Sequence, residues 1–242
     1  MEEMDPRQYG ARWADLYDEF HAGMMDDDGA IAELADLADG GPLLEFGVGT
    51  GRLAVPLSEK GLEVVGVDIS EEMLAKLAAK TDAVTTVVGD MTKVKVDREF
   101  AVAFIAFNSI FVLATQQDQV ELFRNAAAHL RPGGRFVLET AFDRGPGRSE
   151  NHRLRTAKVE HDRLTLVAGM IDPVRAFYNG VWVVLEPDGT KFYPINGRNV
   201  THHEMDLMAQ LAGLELEHRW GNWKREPFTA ESAMHISVYR KP

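Results

Sequence analysis

The stretch LLEFGVGTGR, residues 43–52, sets a carboxylate at Glu45 ahead of three glycines at alternate positions, Gly47, Gly49 and Gly51. Glycine permits backbone conformations closed to other residues and lets a ligand lie against bare peptide. The spacing discriminates among ligands. A phosphate-cradling P-loop closes on Gly-Lys-Ser/Thr, whereas Gly51 is followed by Arg52 and Leu53. A dinucleotide fingerprint reads G-x-G-x-x-G, and its third glycine falls here on Arg52, whose side chain obstructs the close packing that glycine allows. Further acids stand after apolar runs, Asp68 in VVGVDIS and Asp90 in VVGDMTK, and Asn108 follows another in FIAFNSIF. A second group with possible chemistry is THHE, Thr201 to Glu204. Thr-x-x-Glu before the apolar helical run MDLMAQL is a capping box. Adjacent histidines on a helix diverge by roughly 100°, which disfavours joint chelation of a metal. His202 or His203 remains a candidate base, since imidazole titrates near neutrality.

These residues need a scaffold, and the chain supplies one between residues 41 and 145. PLLEF, LEVVGV, AVTTVV, FAVAFIAF and RFVLET read as strands, and RLAVPLSEKG, SEEMLAKLAAK and TQQDQVELFRNAAAHL as helices. Such alternation predicts an α/β fold with a doubly wound, mostly parallel sheet. In that architecture ligands bind beyond the carboxyl ends of the strands, so the glycine loop after the first strand is the expected site. Residues 1–40 are expected to carry an N-terminal lid helix, with Trp13, Leu16, Tyr17 and Phe20 roughly on one face. FDRGPGRSENH reads as a loop, and the basic run RLRTAK after it as a solvated continuation. RLTLVAG, VRAFYNG, VWVVLE and KFYPING read as short strands of an antiparallel β cap over 146–200, with PDGT as a turn. Residues 201–242 return to the α/β core. Trp220, Trp223 and Phe228 read as loop anchors, with an aromatic wall for an acceptor as the lesser reading.

Composition narrows the partners. A net charge of −12 opposes nucleic acid. No apolar run approaches the roughly 20 residues that span a bilayer. The absence of cysteine removes disulfides and thiolate metal sites and fits a cytoplasmic protein.

The strand, glycine loop and leading acid in LLEFGVGTGR resemble motif I of the class I S-adenosylmethionine-dependent methyltransferases. The resemblance runs from Leu43 to Thr140. It implies that the loop wraps the methionine part of the cofactor, with Glu45 beside its ammonium. It further implies that Asp68 accepts from the ribose hydroxyls and Ile69 covers the adenine. Asp90 would receive the adenine amino hydrogens, Met91 would meet the ring through its main chain, and Asn108 would stand near the transferable methyl. YGARWADLYDEF resembles the lid helix of small-molecule methyltransferases, including amino-sugar N-methyltransferases, with Tyr17 as a cofactor contact. FNSI departs from the NPPY-type tetrapeptide of nucleic-acid and protein amide methylators. The implied function is methyl transfer, without a metal, to oxygen, nitrogen or carbon of a small acceptor. Arg198, in NGRNV, reads first as an exposed arginine, with pairing to an acidic acceptor as the lesser reading. The alternative is a non-transferring cofactor binder or a cyclase on the same fold. A homodimer through the cap is a further expectation.

Overall fold

The computed structural model describes residues 10, 12–21, 25–141 and 152–242. The expected loop at 142–152, Arg144 and Arg148 included, lies outside these residues except for His152.

The central sheet is built from runs that are apolar without interruption. Strands β1 (Leu43–Phe46), β2 (Val64–Asp68) and β4 (Phe100–Ile105) are buried almost throughout, as strands covered on both faces must be. With β3 (Val84–Val88), β5 (Leu130–Ala141), β10 (Glu215–Trp220) and β11 (Met234–Arg240) they form one sheet in the order β10-β11-β5-β4-β1-β2-β3. All pairings are parallel except β5–β11 and β10–β11. On one face Leu43, Leu57, Phe104 and Val137 pack under helices α2 (Asp27–Ala38) and α3 (Ala54–Glu59). On the other, Phe46, Phe123, Phe136 and Tyr239 pack under α5 (Gln116–His129) and α6 (His202–Leu211). Helix starts follow side-chain caps: Ser70 accepts from the Met73 N–H at α4 (Glu71–Ala78), and Thr115 from the Asp118 N–H at α5.

The chain order creates the crevice. From β1 the strands run outward through β2 and β3, then return to β4 on the other side of β1. The loops after β1 and β4 therefore splay apart at a topological switch point, where open α/β sheets take ligands.

A second, antiparallel sheet contains β6 (His152–Val159), β7 (Leu164–Asp172), β8 (Phe177–Glu186) and β9 (Gly189–Arg198). Three expectations are corrected here. The basic run RLRTAK is strand β6 rather than loop, paired along its length with β7; on an edge strand, basic side chains reach water without breaking the ladder. VRAFYNG and VWVVLE merge into the single strand β8, because the Tyr178 ring lies over Gly169 and Gly180 and fills the space their absent side chains leave. The expected N-terminal helix is also interrupted: residues 14–16 form a turn before α1 (Tyr17–His21). Trp13 packs between this segment and the second sheet, 4.8 Å from the Tyr193 ring and 6.5 Å from Trp182.

Candidate functional site

All three glycines of the β1 loop have left-handed backbone, with φ of 69°, 55° and 83° at Gly47, Gly49 and Gly51. Their surroundings differ. A Cβ on Gly51 would meet Val55 at 2.8 Å and Leu77 at 2.9 Å, so this glycine serves helix packing against the loop. A Cβ on Gly47 would approach Ser109 at 3.3 Å and Met91 at 3.7 Å across the crevice, and one on Gly49 would touch nothing. Of the three, Gly49 faces open ground and Gly47 lies close against Ser109 across the crevice.

The acids around the loop also divide. Glu45 is buried, and its Oε2 has no hydrogen-bond partner among the described residues. Burial pushes its pKa up to about 8 against the opposing charge of Arg52, with Asp68 adding to the rise. An unpartnered buried acceptor is costly, and this one is placed to receive a cation. Asp68, at the end of β2, fastens the loop: Oδ2 accepts from the Gly49 N–H at 2.8 Å and Oδ1 from the Ser70 N–H at 2.9 Å. Burial raises its pKa although those bonds oppose the rise. The Ile69 N–H adds a third backbone donor, which leaves the carboxylate lone-pair capacity for a further one. Ile69, half-buried, follows it. Asp90 is more committed than expected. Its Oδ1 accepts from the Thr92 N–H and hydroxyl at 2.9 and 2.7 Å, and its Oδ2 lies 3.0 Å from the Lys93 ammonium. Partial burial pushes its pKa up, but Thr92 and Lys93 outweigh it and hold the carboxyl low. The Met91 carbonyl accepts from Asn125 at 2.9 Å.

Beyond β4, Phe107 and Asn108 are both left-handed, with φ of 48° and 66°. Consecutive non-glycine residues there are strained, a condition found at functional sites and sustained by surrounding contacts. Asn108 Oδ1 accepts from the Ala141 N–H at 2.6 Å. Glu139, buried on β5, accepts from the Phe107 N–H at 2.9 Å through Oε2 and from Trp223 Nε1 at 2.8 Å through Oε1. Arg52 pairs with Asp27, stands 3.6 Å from Glu139 Oε2, and lies over the Phe107 ring. Trp223 is thus an anchor, as expected. Arg52 and Glu139 went unassigned at the sequence level; a carboxylate ending an apolar strand was the available signal.

Segment 12–21 closes onto the loop. Asp18 accepts from the Thr50 hydroxyl at 2.5 Å and pairs with Lys80 at 2.5 Å. Lys80 also donates to the Thr50 carbonyl at 2.8 Å. Burial pushes the Tyr17 hydroxyl to about 12; Arg52 opposes this, and Glu45 and Asp68 add to it. Tyr17 is thus buried within the field of Arg52, Glu45 and Asp68. On its far side Glu19 pairs with Arg163 of the second sheet at 2.9 Å.

The capping box at α6 is present: Thr201 and Glu204 exchange bonds at 3.2 and 3.1 Å. The histidines do not diverge as expected. Their rings lie 3.8 Å apart in the first turn, His203 exposed and His202 half-buried, 5.3 Å from Phe228 and 5.9 Å from His235. Burial, then the charges of His203 and Arg219, hold His202 below the usual imidazole range. Phe228, expected to be a loop anchor, packs on these imidazoles. Arg198 is engaged with Gln119 at 2.7 Å and Glu204 at 2.6 Å, which ties β9 to α5 and α6.

Residues 43–134 match the model of a methyltransferase domain. Over 98% of its length the chain is 30% identical to a cypemycin N-terminal methyltransferase from a Streptomyces species, 99% of which is covered. It is 30% identical over 54% of its length to a dTDP-3-amino-3,4,6-trideoxy-alpha-D-glucopyranose N,N-dimethyltransferase of Streptomyces venezuelae, covering 58% of that protein. Among solved structures, the CcbJ methyltransferase of Streptomyces caelestis superposes with a TM-score of 0.93 at 36% identity, over 98% of this chain and 99% of that one.

Proposed function

The chain belongs to the class I S-adenosylmethionine-dependent methyltransferases acting on small molecules, and from that premise we propose that it methylates the amino nitrogen of a natural product or amino sugar. The observation that carries the reading is the buried, unpartnered Glu45 oxygen at the switch point. The residues present fit the cofactor. A cationic, phosphate-free nucleoside satisfies Glu45, needs no basic cradle, and can lie against the bare peptide of Gly47 and Gly49. In this reading Glu45 holds the ammonium, the remaining lone-pair capacity of Asp68 takes a ribose hydroxyl, and Ile69 and Met91 flank the adenine. Gly51 acts through the loop's shape. Asp90 keeps the turn at Met91 and offers its remaining lone pairs to the adenine. Tyr17 and Asn108 close the crevice from the lid and from β4.

The bound cofactor supplies an electrophilic methyl on sulfur, which leaves by in-line displacement. The chain's own work is to hold the acceptor on that line and keep water out. Nitrogen is favoured over oxygen and carbon because the names of two relatives point to amino groups, an N-terminus and an aminated sugar. An amine must be unprotonated to attack. His202, neutral at pH 7 beside Phe228, is the candidate base, and the exposed His203 the lesser one. A radiolabelled methyl donor, offered with a pool of amino sugars and amine-bearing natural products, tests the proposal. Label on one nitrogen is expected; label on oxygen or carbon contradicts it.

Two wider features belong to the same reading. No helix among the described residues is long and apolar enough to cross a membrane, and a cytoplasmic place of work is our reading of the cysteine-free composition. We also read the enzyme as a homodimer. Across the second sheet Leu154, Ala168, Val181 and Pro194 align in one row, and Leu166, Val183 and Phe192 in the next. The opposite face carries Trp182 and Tyr193 against Trp13. Leu154 and Phe192 are 73% and 62% exposed. A neutral apolar face suits a two-fold contact, in which each residue meets its own kind, on a protein whose net charge of −12 opposes contact elsewhere.

A further inference from the structure

We propose that Arg52 and Glu139 are positioning residues for methyl transfer: they fasten the left-handed Phe107–Asn108 turn to the glycine loop, so that occupation of the loop tightens the wall the acceptor meets. The inference rests on the cofactor lying in that loop. Both amides of the strained turn donate to one residue. Glu139 accepts from the Phe107 N–H by its side chain at 2.9 Å and from the Asn108 N–H by its backbone carbonyl at 3.2 Å. Its other carboxylate oxygen is fixed by Trp223 at 2.8 Å. The carboxylate is 2% exposed, so its charge must be met from within the protein.

Arg52 meets it. This side chain leaves the backbone next to Gly51, spans to Glu139 at 3.6 Å, and sets its guanidinium 5.7 Å from the Phe107 ring centroid. It therefore touches the turn twice, through the carboxylate and through the ring. The same guanidinium is shared with Asp27 and exerts its field on Glu45. A ligand seated on the glycine loop fixes the backbone from which Arg52 springs, and with it the guanidinium at Glu139 and the Phe107 ring. Cofactor binding then stiffens Phe107 and Asn108 without touching them, and the acceptor meets a formed wall only when the donor is in place. A purely structural role for Glu139 would leave the turn indifferent to the cofactor.

Amide hydrogen exchange at Phe107 and Asn108, followed by NMR with and without saturating S-adenosylmethionine, separates the two. In the native protein the cofactor is expected to slow these amides about tenfold. In Arg52→Gln and Glu139→Gln, with saturation verified by calorimetry, the slowing is expected to shrink to about twofold or less. If Arg52→Gln does not fold, Arg52→Lys replaces it; that variant keeps the charge, loses the planar fork, and is expected to show an intermediate slowing. Equal slowing in native protein and folded variants, or no slowing in native protein that binds the cofactor, overturns the coupling. Native protein that gives no heat with the cofactor overturns the site assignment itself. As a kinetic check, Glu139→Gln is expected to lower kcat at least tenfold with the cofactor KM changed less than about threefold. A matched rise in KM with kcat retained contradicts positioning.

Discussion

Two glycines two residues apart in one loop are expected to answer differently to the same substitution. Gly51→Ala forces a Cβ to 2.8 Å from Val55 and 2.9 Å from Leu77 at a φ of 83°. Overpacking and left-handed strain add, for a loss of about 2–4 kcal/mol. Gly49→Ala meets no protein atom, so only the conformational cost of about 1 kcal/mol applies. It nevertheless fills the bare ground the cofactor needs. Thermal unfolding should rank Gly51→Ala as the less stable variant, and calorimetry should rank Gly49→Ala as the weaker binder relative to its stability. Glu45 gives a second contrast. Its pKa in the folded protein is raised to about 8, so the stability it contributes is full below about pH 4.5 and is lost as the pH climbs through 8. Glu45→Gln is therefore expected to raise the melting temperature of the cofactor-free protein at pH 8–9 by several degrees and to leave it little changed near pH 4.5. A melting temperature at pH 8.5 equal to or below that of the native protein would remove the premise of an unmet buried acid.

Among elements, those of the central sheet were the most legible, because burial on both faces leaves a run such as FAVAFI no polar position. Capping was equally readable, since Thr201 and Glu204 are three residues apart and their exchange is local. Thr201→Ala should cost about 1 kcal/mol and lower the melting temperature by about 2–4 °C, with methyl transfer intact. Strand β6 was illegible for the opposite reason: on a sheet edge its polarity looks like a loop's, and only pairing with β7 makes it a strand. The left-handed turn after β4 was hidden too, since FIAFNSIF contains no glycine to announce it. For His202 the test belongs to the helix start that places it. His202→Ala should reduce transfer near pH 7 about tenfold and recover toward pH 9, where solution deprotonates the amine. An unchanged pH profile would dismiss it as the base.

For the whole molecule, the residues gathered at the crevice were legible as a list and illegible as a network. Glu45, Gly47, Gly49 and Asp68 lie within one crossover, whereas Arg52 reaches Asp27, Glu139 and Phe107 from distant parts of the chain, and Asp18 reaches Thr50. Such pairings depend on the finished fold. The segment at 12–21 joins the glycine loop to the second sheet through Asp18, Trp13 and Glu19. If the sheet also joins two copies, Leu154→Asp with Phe192→Asp should convert a dimer to monomers in sedimentation; native protein that sediments as a monomer at all concentrations removes the dimer.

The central claim is that a protonated Glu45, one of whose oxygens has no partner among the described residues, becomes an ionised partner of a bound cation. Calorimetric titration with S-adenosylmethionine at pH 7, repeated in buffers of different ionisation heat, reads this directly. The native protein is expected to release nearly one proton on binding, and Glu45→Gln to bind about 10–100-fold more weakly and release none. Native binding without proton release, at an affinity Glu45→Gln matches, would contradict the account.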